Sequence, residues 1–528
     1  MGNQALEYDF IIVGAGSAGC AVAYQLARLG RFSVLLLEQG PPDRSPMIRM
    51  PKGFGALLFK ETYVGRYPAT NHTREKTDEV WLRGKTLGGS SSVNGMLWMR
   101  PQEAGFGAMT RVGAPHWAWP AMQVHFDLLD GGGDGKGTFE VGPNRSNYPI
   151  TEAFIDAAGA HGLPRLTHLP EIGREGAACL QYNINAQGRR VSAAHALLGA
   201  VRDRAQLTVS TGARVERIAF AGQRATGVIG RRNGEAFELR ARREVILSAG
   251  ALESPLILQR SGIGAPSLLD EFGIAPVVDS PRVGANLREH LLLGVNYHVK
   301  DWINSENRQY GGARLAANLL RYLWSGTGPM AQGPSHAAAF LRSGVRGDDG
   351  ADIMLMFNPF ARRKDSFSTT PGISFAAYAV HPQSEGFIRI RSRDPDAAPE
   401  LCPSYLQSEQ DRRVSIAALR KLREIVEHEP LAGLLRGEME DSAWAHSDEE
   451  ILELYQRKGL PGFHAVGSCA MGSSAEDSVV DARTRVHGVE GVRVVDGSIM
   501  PEMLAGITNA TVMALGLHGA QLIAEEHA

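Results

Sequence analysis

Three glycines at fixed spacing constrain this chain more than any other feature. Phe10 to Val13 is an apolar, β-branched run of the kind a buried parallel strand needs. Gly14, Gly16 and Gly19 follow in G-x-G-x-x-G order and open a helical pattern over Ala18–Leu29. Gly14 permits a tight turn, Gly16 lets backbone approach a pyrophosphate, and Gly19 lets the helix pack on the strand. Ser17 and Ala18 lie at the helix N-terminus, where free N–H groups and a partial positive charge suit a pyrophosphate. A second apolar strand, Ser33–Leu37, leads into Glu38-Gln39, with Glu38 nineteen residues after Gly19. A carboxylate there can accept both ribose hydroxyls of an adenosine. No arginine follows to meet a 2′-phosphate, which argues against NADP. This unit alone does not separate NAD from FAD.

A second glycine–serine turn, Leu87-Gly88-Gly89-Ser90-Ser91-Ser92-Val93-Asn94-Gly95, places amides and hydroxyls close together. Paired with the first turn, it predicts one extended cofactor gripped at two places. Other candidate sites recede. The glycine run 130–137 follows no strand and lacks the spacing, so it reads as a surface connection. The sixteen histidines include no pair in zinc-protease order, so no metal is expected. A net charge of −2 removes the electrostatic case for nucleic acid, and Arg362-Arg363-Lys364 reads as solvated surface.

The 528 residues favour two domains. Cys20, Cys179, Cys402 and Cys469 are scattered without CxxC spacing, which predicts a reducing, cytoplasmic setting. No basic region precedes Phe10, so no signal peptide is expected. Gly14, Gly16, Gly19 and Gln25 interrupt Phe10–Ala27, so no membrane span is expected. Periodicity predicts helices over 151–162, 191–201, 315–324 and 414–427. It predicts strands over 207–210, 215–220 and 237–247, and alternating sheet over 373–391. Gly250 starts a helix with Pro255 at an early position. A buried strand over 492–495 ends in Asp496, and a last helix starts near Thr508.

Four segments together resemble the glucose–methanol–choline (GMC) family of FAD oxidoreductases. They are the opening fingerprint, Gly84–Asn94, Gly250–Gly264, and His464-Ala-Val-Gly-Ser-Cys-Ala-Met-Gly472. The third matches the family's second signature at every constrained position, and the match runs from residue 8 to about 520. The resemblance implies an α/β fold: a Rossmann-like FAD-binding domain (1–150, 205–295 and 462–528) interleaved with an α+β substrate-binding domain (151–204 and 296–461) built on an antiparallel sheet. It implies FAD, with the second turn at the pyrophosphate and flavin, Asn94 and Gly95 near the isoalloxazine, and Met96 and Leu97 also binding the cofactor. Val215 would meet the adenine, and Asp496-Gly497 the ribityl chain. Some members attach FAD through a histidine at the position of Val93. Valine cannot form that bond, so non-covalent FAD is expected.

The implied reaction is oxidation of a primary alcohol, with hydride passing to flavin N5. His464, inside its motif, is the candidate base, since a neutral imidazole accepts a proton near neutral pH. The start of the last helix, Thr508-Asn509, would stabilise negative charge on the reduced flavin. Asn509 is either an added side-chain donor or a helix-terminal residue. Gly107 departs from the first signature, and Ile507 occupies the slot where the family carries a second His or Asn. Isoleucine cannot hydrogen-bond, so His464 is expected to act alone. Phe463 and Ile507 predict an apolar pocket, with Met99, Phe357 and Phe360 as further walls or ordinary core. That favours an aromatic or otherwise apolar alcohol over a sugar or choline, with oxygen or a quinone or dye as electron acceptor. Alternatives on the same scaffold are a hydroxynitrile lyase type and a fatty-acid photodecarboxylase type.

Overall fold

The opening strand, Glu7–Val13, is buried from Phe10 onward because every side chain from 10 to 13 is apolar. It lies in the middle of a sheet ordered 213–221, 224–232, 235–247, 7–13, 34–38, 207–211, with Val492–Val494 also pairing on 235–247. The pairings around 7–13 are parallel, whereas the three strands from 213 to 247 are antiparallel. The computed structural model describes residues 7–528 apart from 72–78, 102, 113, 133–135, 146–147, 168–173, 348–349, 364–365 and 505. The centre of the glycine run at 130–137 and Lys364 therefore lie outside the described residues.

A second sheet runs 435–438, 291–299, 372–379, 353–358, 337–341, 176–179, with 460–461 pairing on 291–299. Its ladder is antiparallel throughout. Both faces are buried, and strand alternation divides the side chains between them. Ile353, Leu355 and Phe357 face a core shared with Phe154, Leu419 and Leu422 of the helices Pro149–Ala160 and Glu409–Val426. Met354, Ala338 and Phe340 face a smaller cluster with Met96, Leu97 and Met99. The sheet thus spans the space between its helices and the second glycine–serine turn.

Several expectations change in detail. The meander gains a strand, Arg224–Arg232, whose alternation is diluted by Gly227, Gly230 and four arginine or threonine residues. Pro255 is sixth in Gly250–Arg260, an interior position and not an early one. Residues 191–201 pack in the first core through Val191, Leu197 and Val201, and Tyr67 and Trp81 pack in the second. The chain therefore crosses between cores more often than boundaries at 150 and 204 imply, because short apolar runs carry no address for the core that takes them. Among the described residues no disulfide joins the cysteines, and no helix is long and apolar enough to cross a membrane.

Candidate active site

The glycines of the first turn behave differently from one another. Gly14 has φ of +99°, and a Cβ there would sit 2.6 Å from the Ser248 carbonyl. A Cβ on Gly19 would lie 1.8 Å from the Gly14 carbonyl, so only glycine allows this approach of helix Ser17–Leu29 to the turn. A Cβ on Gly16 would meet no atom within 4 Å. Gly16 faces a cavity lined by Gly14, Glu38, Gln39, Gly89, Val215 and Ala249, among others. The second turn closes on the first: Gly88 N–H donates to the Ala15 carbonyl at 2.8 Å. Gly89, at φ +52°, would place a Cβ 2.6 Å from Gly16 Cα. The open space before Gly16 and the backbone around it fit a dinucleotide.

Glu38 ends the strand Val34–Glu38 with its carboxylate at the cavity, held by the N–H groups of Ala15 at 3.1 Å and Gly40 at 2.8 Å. Burial pushes its pKa up to about 7, against the pull of those amides and Lys85. Ala18 is buried, and Ser90 Oγ accepts from Gly84 N–H at 3.1 Å, bracing the second turn from within. Leu87 and Gly95 are half-buried in the same loop.

Asn94 is fixed by a residue the sequence reading missed. Buried Arg190 donates to Asn94 Oδ1 and to its carbonyl, both at 2.6 Å, and to the Ser91 carbonyl at 3.1 Å. Burial draws the Arg190 guanidinium down to about 9. Asp496 is also committed: its carboxylate accepts from Gly250 N–H, Ser254 Oγ, Ser498 N–H and Ser498 Oγ at 2.6–2.8 Å. Its side chain thus ties the helix Gly250–Arg260 to the Gly497 turn. The last helix, Asn509–Glu526, starts at Thr508 beside the first turn, where Ser17 Oγ donates to Asn509 Oδ1 at 2.8 Å. Asn509 Nδ2 is buried without a hydrogen-bond partner among the described residues. A buried donor of this kind costs about 1–3 kcal/mol if left unmade, so the site fits a ligand that supplies an acceptor there.

The register of the second sheet brings His464 beside two buried titratable side chains, Glu289 and His290. Leu291 and Leu292 pair with Pro461 and Leu460, Gly462 N–H donates to the His290 carbonyl, and Arg288 bridges Val466. Glu289 and His290 are thereby carried alongside Phe463 and His464. Glu289 Oε1 accepts from the N–H groups of His290 at 2.9 Å and His464 at 2.7 Å, and Arg83 faces its Oε2 at 3.8 Å. Burial raises Glu289 to about 7, opposed by Arg83. The His290 and His464 Nδ1 atoms are 2.9 Å apart, and His290 Nε2 lies 3.0 Å from the Val380 carbonyl. Burial, then His290 and Arg83, hold His464 well below its usual value, so it is neutral at physiological pH. Glu289, His290 and His464 are close enough to suggest a metal trio. Their near atoms, however, are already engaged in the Nδ1···Nδ1 hydrogen bond and the two amides.

Met96, Leu97, Met99, Tyr378 and Val380 form one buried apolar cluster, with Leu292 and Ile507 packed against it. The cluster reaches the histidines through Val380 and through Tyr378, whose ring lies 5.1 Å from His290. Phe463 is partly exposed beside His464, at φ +62°. Phe357 does not join this cluster. The period-two alternation of Ile353–Asn358 turns it to the opposite face, stacked 5.3 Å from Phe154. Phe360 belongs to a separate aromatic group with Tyr310 and Phe367. Sequence reading missed Arg83, Arg190, Glu289 and His290. The last two lie within the span of the resemblance but in none of its four segments, and no local spacing sets them apart.

The GMC oxidoreductase family models match residues 8–292 and 382–516. The oxygen-dependent choline dehydrogenase 1 of Chromohalobacter salexigens is 35% identical, over 97% of this chain and 94% of its own length. Among solved structures, pyridoxine 4-oxidase from Mesorbium loti superposes with a TM-score of 0.87 at 30% identity, covering 98% of this chain and 99% of that one. An FAD-dependent oxidoreductase from Chaetomium thermophilum superposes with a TM-score of 0.88 at 25% identity, covering 98% and 99%.

Proposed function

Because the chain belongs to the GMC oxidoreductase family, whose members oxidise alcohols with FAD, we propose that it oxidises an aromatic or otherwise apolar primary alcohol to the aldehyde, with His464 as base. The observation that carries this reading is a neutral His464 beside His290, whose ring meets the apolar cluster that Ile507 packs against. Glu289, the carboxylate beside the histidines, is engaged by two amides and faced by Arg83. It is therefore poorly placed to receive a quaternary ammonium, which supports a neutral substrate over choline.

Gly14, Gly16, Ser17, Glu38, Gln39 and Val215 would hold the adenosine diphosphate half of FAD. Gly88–Ser90, Asn94–Leu97, Gly497 and Thr508-Asn509 would hold the flavin half. When bound, FAD supplies the hydride acceptor. His464 takes the hydroxyl proton, a contribution of about 10²–10⁴-fold for a positioned base. The Asn509 amide and the N-terminus of its helix offset negative charge. Val93, buried and unreactive, supports non-covalent binding. The cysteines, without disulfides, support a reducing compartment.

A panel of primary alcohols, assayed with oxygen and with a dye acceptor, tests the reading. Anaerobic benzylic or long-chain alcohols should bleach the yellow protein, and His464→Ala should slow bleaching by about 10²–10⁴-fold. Near wild-type reduction in His464→Ala would refute the assignment of the base.

A further inference from the structure

His464 does not stand alone. Its Nδ1 lies 2.9 Å from His290 Nδ1, and the His290 Nε2 lies 3.0 Å from the Val380 carbonyl. We propose that His290 is a positioning residue that locks His464 in the tautomer protonated at Nδ1, leaving the lone pair on Nε2 for the substrate hydroxyl. This rests on the reading of His464 as base.

The assignment follows from which groups can donate. A backbone carbonyl only accepts, so His290 Nε2 carries a proton and donates it to Val380. A neutral imidazole has one N–H, so His290 Nδ1 carries a lone pair and can only accept. The hydrogen-bonded proton between the two rings must then belong to His464 Nδ1. The alternative requires His290 to be a cation. Its ring is fully buried, and burial holds its pKa down at about 4. The tautomer of a histidine is set by the hydrogen bond its other nitrogen makes.

Two features hold this relay rigid. Glu289 Oε1 accepts from the backbone N–H of both histidines, so the two rings hang from one carboxylate. The Val380 carbonyl sits just past the strand Gly372–Ala379, which pairs with Leu291–Val299 immediately after His290. When His464 accepts a proton at Nε2, its Nδ1–H becomes a stronger donor to His290. The pair therefore accommodates the imidazolium without moving an atom into water.

Histidine-selective ¹⁵N spectra of the holoenzyme test this without turnover, the His464 signals being assigned by their loss in His464→Ala. The expected pattern is a protonated, pyrrole-type Nδ1 and a pyridine-type Nε2 for His464. A pyridine-type Nδ1 would overturn the proposal, whatever the activity of His464→Ala. Kinetics give the second arm. His290→Leu removes the acceptor and should lower kcat by at least about tenfold, with little change in KM. His290→Asn keeps an acceptor near the place of Nδ1 and should recover most of that loss. Equal rates in wild type and His290→Leu, both folded and flavin-loaded, would also overturn it. Fast reduction in His464→Ala, by contrast, would remove the base and leave the tautomer as read.

Discussion

Ser17 Oγ donates to Asn509 Oδ1 at 2.8 Å, joining the first glycine turn to the start of the last helix across 492 positions. The bond commits Oδ1 as acceptor and so turns Nδ2, buried and unpartnered among the described residues, into an available donor. A hydrogen bond to a charged group contributes about 1.5–3 kcal/mol. Asn509→Ala should therefore slow anaerobic flavin reduction by roughly 10- to 100-fold, and Ser17→Ala by less, since the amide remains. Stopped-flow rates equal to wild type in Asn509→Ala would make it a helix-terminal residue only.

Gly16 and Gly19 should separate binding from folding. Gly19→Ala drives a methyl into the Gly14 carbonyl, and overpacking of this kind costs about 1–3 kcal/mol. Urea denaturation of the flavin-free protein should show that loss. Gly16→Ala meets open space, so it should leave flavin-free stability intact while reducing bound FAD. Equal flavin content in Gly16→Ala and wild type would mean that the pyrophosphate lies elsewhere.

Glu38 gives a pH dependence with opposite signs for stability and binding. Its folded value of about 7 lies above the ordinary 4.5, so the flavin-free fold holds the proton more tightly than the unfolded chain. That contribution is full below about pH 4.5 and lost as pH rises through about 7. Ribose hydroxyls donate to the ionised carboxylate, so FAD affinity should rise over the same interval. Glu38→Gln should flatten both trends in titrations of flavin binding and thermal unfolding. An FAD affinity independent of pH from 5 to 8 in wild type would remove Glu38 from the ribose.

Non-covalent attachment is read from Val93, whose side chain offers no nucleophile. Acid precipitation should leave a yellow supernatant and a colourless pellet. Colour in the pellet would point to another attachment.

Ile507 packs against the buried cluster that includes Met96, Leu97, Met99 and Tyr378. Ile507→Asn puts an amide there with no partner, a cost of about 1–3 kcal/mol. KM for bulky apolar alcohols should rise by about tenfold or more. Faster reduction of small alcohols by this variant would show instead that a polar clamp was merely missing.

Much of this architecture is legible before folding because its signals are local. The G-x-G-x-x-G spacing, the apolar run before it and the acid after the second strand all act within forty residues. Strand alternation over 373–391 marks one part of the second sheet, whose other strands carry no such reading. It does not by itself say which face reaches the site, and Phe357 shows the consequence. It stands one residue from Met356 and three from Met354, so the alternation turns it to the other face, into the core shared with Phe154.

The sequence by itself determined the dinucleotide turn and the second glycine–serine turn, and the family resemblance singled out His464 and the apolar residue at 507. Each depends on neighbours in the chain and on what a side chain can or cannot donate. Only the tertiary structure decided that Arg190 braces Asn94, that Ser17 orients Asn509, and that His290 stands between His464 and the Val380 carbonyl. These pairs are 96, 492 and 174 positions apart. No local pattern encodes a hydrogen bond across such a span. It exists only once two sheets have set their registers and buried the partners where water cannot replace them.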